Sequence, residues 1–273
     1  FTPDKPAAQI ANVHTIFNIT TTILLMPFGG RMARAAELIL PDQGAGGKKR
    51  DEDAWFDEIV ATQHVLGVSA MAIQSLKDEV QVMLKLASEN VEASFGAIER
   101  MGEGGIKEIE KREDAIDQMN VHLSRKVAKA LTVEHGYGDV MSINHLFKIV
   151  GNIERIGDHA MNLAEYAVLI KEKDIHLSQE ALDEVHQMKE VCMKALNELI
   201  DTRQLDRRQV LGEAVVFEQQ IDDTNFQYRE NQMERLRKGT CNVESSIIYS
   251  EMLTDYERIG DHILNIAKSY VML

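Results

Sequence analysis

The chain contains the same six-residue phrase twice. Glu154-Arg155-Ile156-Gly157-Asp158-His159 recurs as Glu257-Arg258-Ile259-Gly260-Asp261-His262, and each copy is followed by an asparagine, Asn162 and Asn265. Neighbouring positions repeat in step. Asp78-Glu79-Val80 and Met83 return as Asp183-Glu184-Val185 and Met188, and Glu113 and Asp117 return as Glu218 and Asp222, each 105 positions later, whereas the phrase returns after 103. A nearly constant offset over three separate segments marks an internal duplication of one supersecondary unit. The chain must therefore fold as two copies of that unit, each burying its apolar stripe within itself or against the other.

The unit is helical. Leu76, Val80, Met83, Leu84, Ala87, Val91, Phe95 and Ile98 fall at spacings of three and four, as do Ile109, Ile116, Met119, Leu123, Val127 and Leu131 in the next segment. This stripe starts as far back as Trp55 and Ile59 and includes Met71 and Ala72. Glycines punctuate the pattern at Gly102, Gly104 and Gly105 and again at Gly136 and Gly138. The reading gives helices over 54–100, 106–133 and 140–170. A second set runs over 178–201, 207–237 and 243–273, with Ser178 opening it and Gly239 closing its middle helix. The fold class is all-α: a duplicated three-helix unit forming a six-helix bundle, with repeats over 54–172 and 173–273.

Residues 1–53 have a different character. From Ala7 to Phe28 the only charge-capable side chain is His14, a length and composition expected of a transmembrane helix, although Asn12, Asn18 and Thr20-Thr21-Thr22 suit one packed among other helices. A buried helix of a soluble bundle is the rival reading. Arg31, Arg34 and Lys48-Lys49-Arg50 follow, which by the positive-inside rule places everything downstream in the cytoplasm. Residues 1–41 are thus expected to hold a last membrane helix and a short amphipathic helix ending at Pro41, and 42–53 a Gly-rich linker.

Charge and cysteine use narrow the function. A formal net charge of −14 and an aromatic content of 5 % argue against a phosphate-backbone surface, so no nucleic-acid partner is expected. Cys192 and Cys241 stand alone and read as free thiols. No nucleophile with a base, phosphate loop or dinucleotide fingerprint is present, and the chain is not expected to be an enzyme.

The acidic pairs are the chemical signal. Glu113/Asp117 and Glu154/Asp158 in the first unit, and Glu218/Asp222 and Glu257/Asp261 in the second, are each four apart and so share one helical face. Where the middle and last helices of a unit meet, four carboxylates converge, and cations must neutralise them. Oxygen ligands suit Mg²⁺, Mn²⁺ or Ca²⁺, with Fe admissible if His159 or His262 joins. Each histidine follows its Asp and is turned about a hundred degrees from that face, so a surface or inter-helix role is equally open. Solvated acidic faces neutralised by Arg155 or Arg258 are the alternative to metal. Gly157 and Gly260 sit mid-helix, where glycine costs about 0.5–1 kcal/mol against alanine, which points to a close helix crossing at both.

The phrase, its upstream Glu-x-x-x-Asp helix and the duplicated unit together resemble the PhoU fold, a phosphate-regulatory domain whose repeats carry acidic metal-cluster motifs. Gln9-Ile10-Ala11-Asn12-Val13-His14-Thr15-Ile16-Phe17-Asn18, running into Leu24-Leu25-Met26-Pro27-Phe28, resembles the last membrane segment of bacterial sodium/phosphate cotransporters that end in such a domain. The resemblance implies the regulatory C-terminal part of a sodium-dependent phosphate symporter in the inner membrane, with 42–273 cytoplasmic. The remainder of the transporter would be its partner, the membrane would be met through 7–28, and a homodimer is allowed. The Gln-Ser-Ser-type substrate segments of those carriers are missing, so this chain is expected to regulate rather than carry. A soluble PhoU-like regulator acting on a membrane partner is the alternative, and an acidic helical scaffold without ligand is a third.

Overall fold

The computed structural model describes residues 68–101, 105–133, 137–200 and 206–273, together with Thr15, Phe17, Thr20 and Thr21. Two compact units divide the chain, Phe1–Ala54 and Trp55–Leu273. In the first, the four described residues are helical and the Thr21 hydroxyl donates to the Phe17 carbonyl at 2.8 Å. The expected membrane helix at 7–28, the amphipathic helix and the 42–53 linker otherwise lie outside the described residues. No helix among the described residues is long and apolar enough to cross a membrane.

The second unit is built from six helices: α1 Val68–Glu99, α2 Ile106–Val133, α3 Tyr137–Glu172, α4 Gln179–Ile200, α5 Arg207–Lys238 and α6 Val243–Val271. Local chemistry sets their ends. The Ser178 hydroxyl accepts from the Ala181 amide at 3.3 Å at the start of α4. Asp206 caps α5 and Asn242 caps α6, the latter accepting from the Ser245 amide at 2.7 Å. Gly239, at φ 69°, ends α5 in the left-handed conformation, with its own amide and that of Thr240 closing back on Leu236 and Arg235. The third helix begins at Tyr137, three residues before the expected position 140. Gly138 falls in its first turn, where its cost is small, and Asp139 beside it suits the positive helix end.

Within each repeat the three helices pack pairwise, α1, α2 and α3 in one and α4, α5 and α6 in the other. The repeats join where α3 lies on α6 and α1 on α4. These four inner helices share a core containing Phe95, Ile98, Leu146, Ile156, Met188, Leu196, Tyr249 and Tyr256, while α2 and α5 pack chiefly on their own repeats. The apolar stripe from Leu76 to Ile98 is buried throughout, but Met71 is 54 % exposed because Ala72 and Ile73 take the inward positions of that turn. Both cysteines are free thiols, Cys192 fully buried.

Candidate metal centre and the seam between repeats

The first repeat brings its acidic helices together as the spacing suggests. Glu113 and Asp117 on α2 and Asp158 on α3 each offer a carboxylate oxygen, and these three oxygens lie within 4.8 Å of one another. Asp117 and Asp158 are exposed and Glu113 is half-buried, so the group lies at the surface over the α2–α3 crossing. Gly157 lies at that crossing: a Cβ there would stand 2.9 Å from Glu113 Oε2 and 3.3 Å from Ile116 Cγ2. The close crossing expected at this glycine is present, and a carboxylate oxygen fills the space a methyl group would take.

That oxygen is short of partners. Glu113 Oε2 is fully buried and has no hydrogen-bond donor. Burial pushes the Glu113 carboxyl up to about 7, and Asp117, Asp158, Glu154 and Asp114 push it the same way. Burial also raises Glu154, together with Asp158 and Asp117, against a smaller opposing pull from Arg155. Asp158 is raised by burial and by Asp117, with His159 and Arg155 opposing. Glu154 thus shares the field of the group without being one of the three converging ligands. Like charges held this close need either protons or a cation.

The second repeat is assembled differently. The three atoms nearest to a Cβ on Gly260 all belong to Ile221, the first being Cδ1 at 2.8 Å, so hydrocarbon lies closest at this crossing. Asn225 donates its amide to Glu257 Oε2 at 2.6 Å, and Arg258 reaches Asp261 at 3.2 Å. Burial, then Glu257, Asp261 and Asp223, raise Asp222. Among the described residues, Glu218, Asp222, Glu257 and Asp261 nevertheless supply no set of three converging oxygens.

The two histidines of the phrase turn to the α3–α6 seam. Their rings stack with centroids 5.5 Å apart and an interplanar angle of 22°. His159 Nδ1 donates to Asp255 at 2.7 Å, and His262 Nδ1 donates to Asn152 Oδ1 at 2.9 Å. Asn152 and Asp255 are themselves 103 positions apart, so the two contacts are related by the duplication. Asn162 also donates to Asp255, at 3.0 Å. Burial lowers His262 to about 4, helped by His159 and Arg155 and opposed by Asp261. The inter-helix role left open for these histidines is the one they play. Sequence reasoning did not single out Asn152 and Asp255, although a polar residue two positions before each copy of the phrase, in otherwise apolar surroundings, was a usable signal.

A second network was present in the sequence only as a register mark. Glu184, buried on α4, receives both Arg235 guanidinium nitrogens at 3.0 and 2.7 Å, the Asn231 amide at 2.8 Å and the Tyr249 hydroxyl. Its repeat mate Glu79 receives Lys126 at 2.8 Å. In each repeat, a carboxylate on the first helix is thus tied to a cation on the middle one.

A duplicated all-α bundle carrying an acidic group in its first half defines the class. The PhoU domain family matches residues 80–167 and 185–270, one stretch per repeat, and the chain belongs to that family. It is 25 % identical over 202 residues to the phosphate-specific transport system accessory protein PhoU homolog 1 of Thermotoga maritima, covering 72 % of this chain and 85 % of that protein. The PhoU homolog of Synechocystis is 27 % identical over 208 residues, covering 74 % and 89 %. Among solved structures, PhoU from Pseudomonas aeruginosa matches with a TM-score of 0.69 at 20 % identity, covering 74 % of this chain and 96 % of that one. The phosphate transport system regulatory protein PhoU from Streptococcus pneumoniae matches with a TM-score of 0.64 at 20 % identity, over 74 % and 95 %. The relatives are named as accessory and regulatory proteins of phosphate transport systems.

Proposed function

We propose that this chain is a PhoU-type regulator of phosphate transport that acts on a membrane transporter from the cytoplasmic side and holds a divalent cation in its first repeat. The regulatory part of this reading is supported by family membership and by the relatives' names as transport accessory proteins. The cation part is carried by one observation: three carboxylates converge where Glu113 Oε2 is buried without a donor. Glu113, Asp117 and Asp158 would hold the ion, and Glu154 would add negative field at the rim. An all-oxygen set suits Mg²⁺ or Mn²⁺ better than iron, since both histidines are committed to the seam. When bound, the cation supplies positive charge that lets Glu113 ionise and ties α2 to α3.

The sodium/phosphate symporter reading makes the same bundle the regulatory tail of a carrier. It is favoured by the weakly charged stretch at 7–28 and the basic residues that follow it. The two arrangements differ in whether the transporter partner is covalently attached.

The test is radiolabelled phosphate uptake in cells lacking the gene, restored with wild-type protein or with Asp117→Asn/Asp158→Asn. Deregulated uptake that only the wild type corrects is expected. Uptake indifferent to loss of the gene would overturn the regulatory role. Fractionation with and without residues 1–41 separates the two arrangements, since only the symporter form loses its membrane association on truncation.

A further inference from the structure

The duplication gives every residue of the first acidic group a counterpart in the second, so the two can be compared position by position. Glu113 and Asp117 correspond to Glu218 and Asp222, Ile116 to Ile221, and Gly157 to Gly260. At Gly157 the nearest atom to a notional Cβ is a carboxylate oxygen, with Ile116 behind it; at Gly260 the three nearest atoms all belong to Ile221. In the second repeat the isoleucine has taken the place that the glutamate holds in the first.

The difference extends one turn along the middle helix. Asn225 and Asn120 are counterparts, as are Arg229 and Ser124. Arg229 Nε donates to Asn225 Oδ1 at 3.0 Å and its Nη2 to Thr254 at 3.1 Å. With its oxygen so held, Asn225 presents its amide hydrogen to Glu257 at 2.6 Å. In the first repeat the short Ser124 hydroxyl donates to Asn120 Oδ1 at 3.4 Å. Arg258 reaches Asp261 at 3.2 Å, but its counterpart Arg155 stands at the same place in the first repeat, so this exposed pair does not separate the two. Glu257 has a protein donor, whereas Glu113 Oε2 has none.

Building on the proposed cation site, we infer that the two repeats have diverged in how they neutralise their acid: the first takes a divalent cation, and the second replaces it with the Arg229–Asn225 pair at Glu257. Among the described residues, tight cation binding belongs to Glu113, Asp117 and Asp158. The second group keeps the α5–α6 crossing together without an ion.

The experiment is Mn²⁺ titration of the full chain, with free Mn²⁺ followed by electron paramagnetic resonance. Wild type is compared with Glu113→Gln/Asp117→Asn, with Asp158→Asn alone and with Asp222→Asn/Asp261→Asn. Asp158 is exposed, so its single change tests the site even if the double variant is poorly folded. First-repeat changes are expected to weaken Mn²⁺ binding by at least about tenfold, and the second-repeat pair to leave affinity and stoichiometry as in wild type. Equal losses from both repeats, or a loss confined to the second, would overturn the divergence while leaving a cation site in place. No Mn²⁺ uptake by wild type would overturn the cation site and this inference together.

Discussion

Glu113 Oε2 occupies the space beside Gly157 that any other residue's Cβ would claim, at 2.9 Å from where that atom would stand. The glycine is the means by which a carboxylate from α2 reaches the face of α3. In Gly157→Ala the gain in helix propensity, about 0.5–1 kcal/mol, offsets the displacement of a flexible carboxylate end. Urea unfolding should change little while Mn²⁺ affinity falls. Gly260→Ala instead drives a methyl into Ile221 at 2.8 Å, and overpacking of that kind costs about 1–3 kcal/mol. The paired denaturation curves check the contrast.

The protonation of Glu113 gives stability a definite pH slope. Its carboxyl sits at about 7 in the fold against an ordinary 4.5, so between those limits the folded state binds the extra proton. Its contribution therefore falls as pH rises from 4.5 through 7. His262, lowered to about 4, works in the opposite sense and weakens the fold as pH drops from 6.5 toward 4. The Glu113 effect is isolated by comparing wild type with Glu113→Gln. The variant should be the more stable at pH 8 in metal-free buffer, and its advantage should vanish by pH 5. Added Mn²⁺ should stabilise only the wild type at pH 8.

Arg235 and Glu184 form a buried ion pair whose side chains are about a tenth exposed. Removing one partner leaves a buried charge, so Arg235→Met should destabilise by about 3–5 kcal/mol. Pairing it with Glu184→Leu should recover much of the loss. A double-mutant cycle by chemical denaturation measures the coupling.

At the seam, Asp255 accepts from His159 and Asn162 on the opposite repeat. Asp255→Ala strands both donors in a buried interface and should cost about 1–3 kcal/mol. His159→Ala/Asp255→Ala should cost less than the sum of its parts. Thermal unfolding of the four proteins decides it.

Much of the bundle was legible because duplication and helical spacing reinforce each other. The stripe from Leu76 to Ile98, the Ser178 start and the Gly239 stop all followed from local chemistry. The glycine crossings were also readable, since glycine inside a helix needs a reason. What the spacing could not show was which oxygens converge. Glu113/Asp117 and Glu218/Asp222 look alike in the sequence, and their difference depends on whether Ile221 or a glutamate fills the crossing and on Arg229 where the first repeat has Ser124. The seam was hidden for a similar reason: His159 and His262 stand next to the acidic motif, but side-chain direction around the helix sends them to the other repeat.

The central claim is that Glu113, Asp117 and Asp158 hold a divalent cation, and anomalous scattering locates such an ion directly. Crystals grown with Mn²⁺ should show an anomalous peak between α2 and α3, bonded to oxygens of all three carboxylates, and none at Asp222, Glu257 and Asp261. Fully Mn²⁺-equilibrated crystals without a peak between α2 and α3 would contradict it.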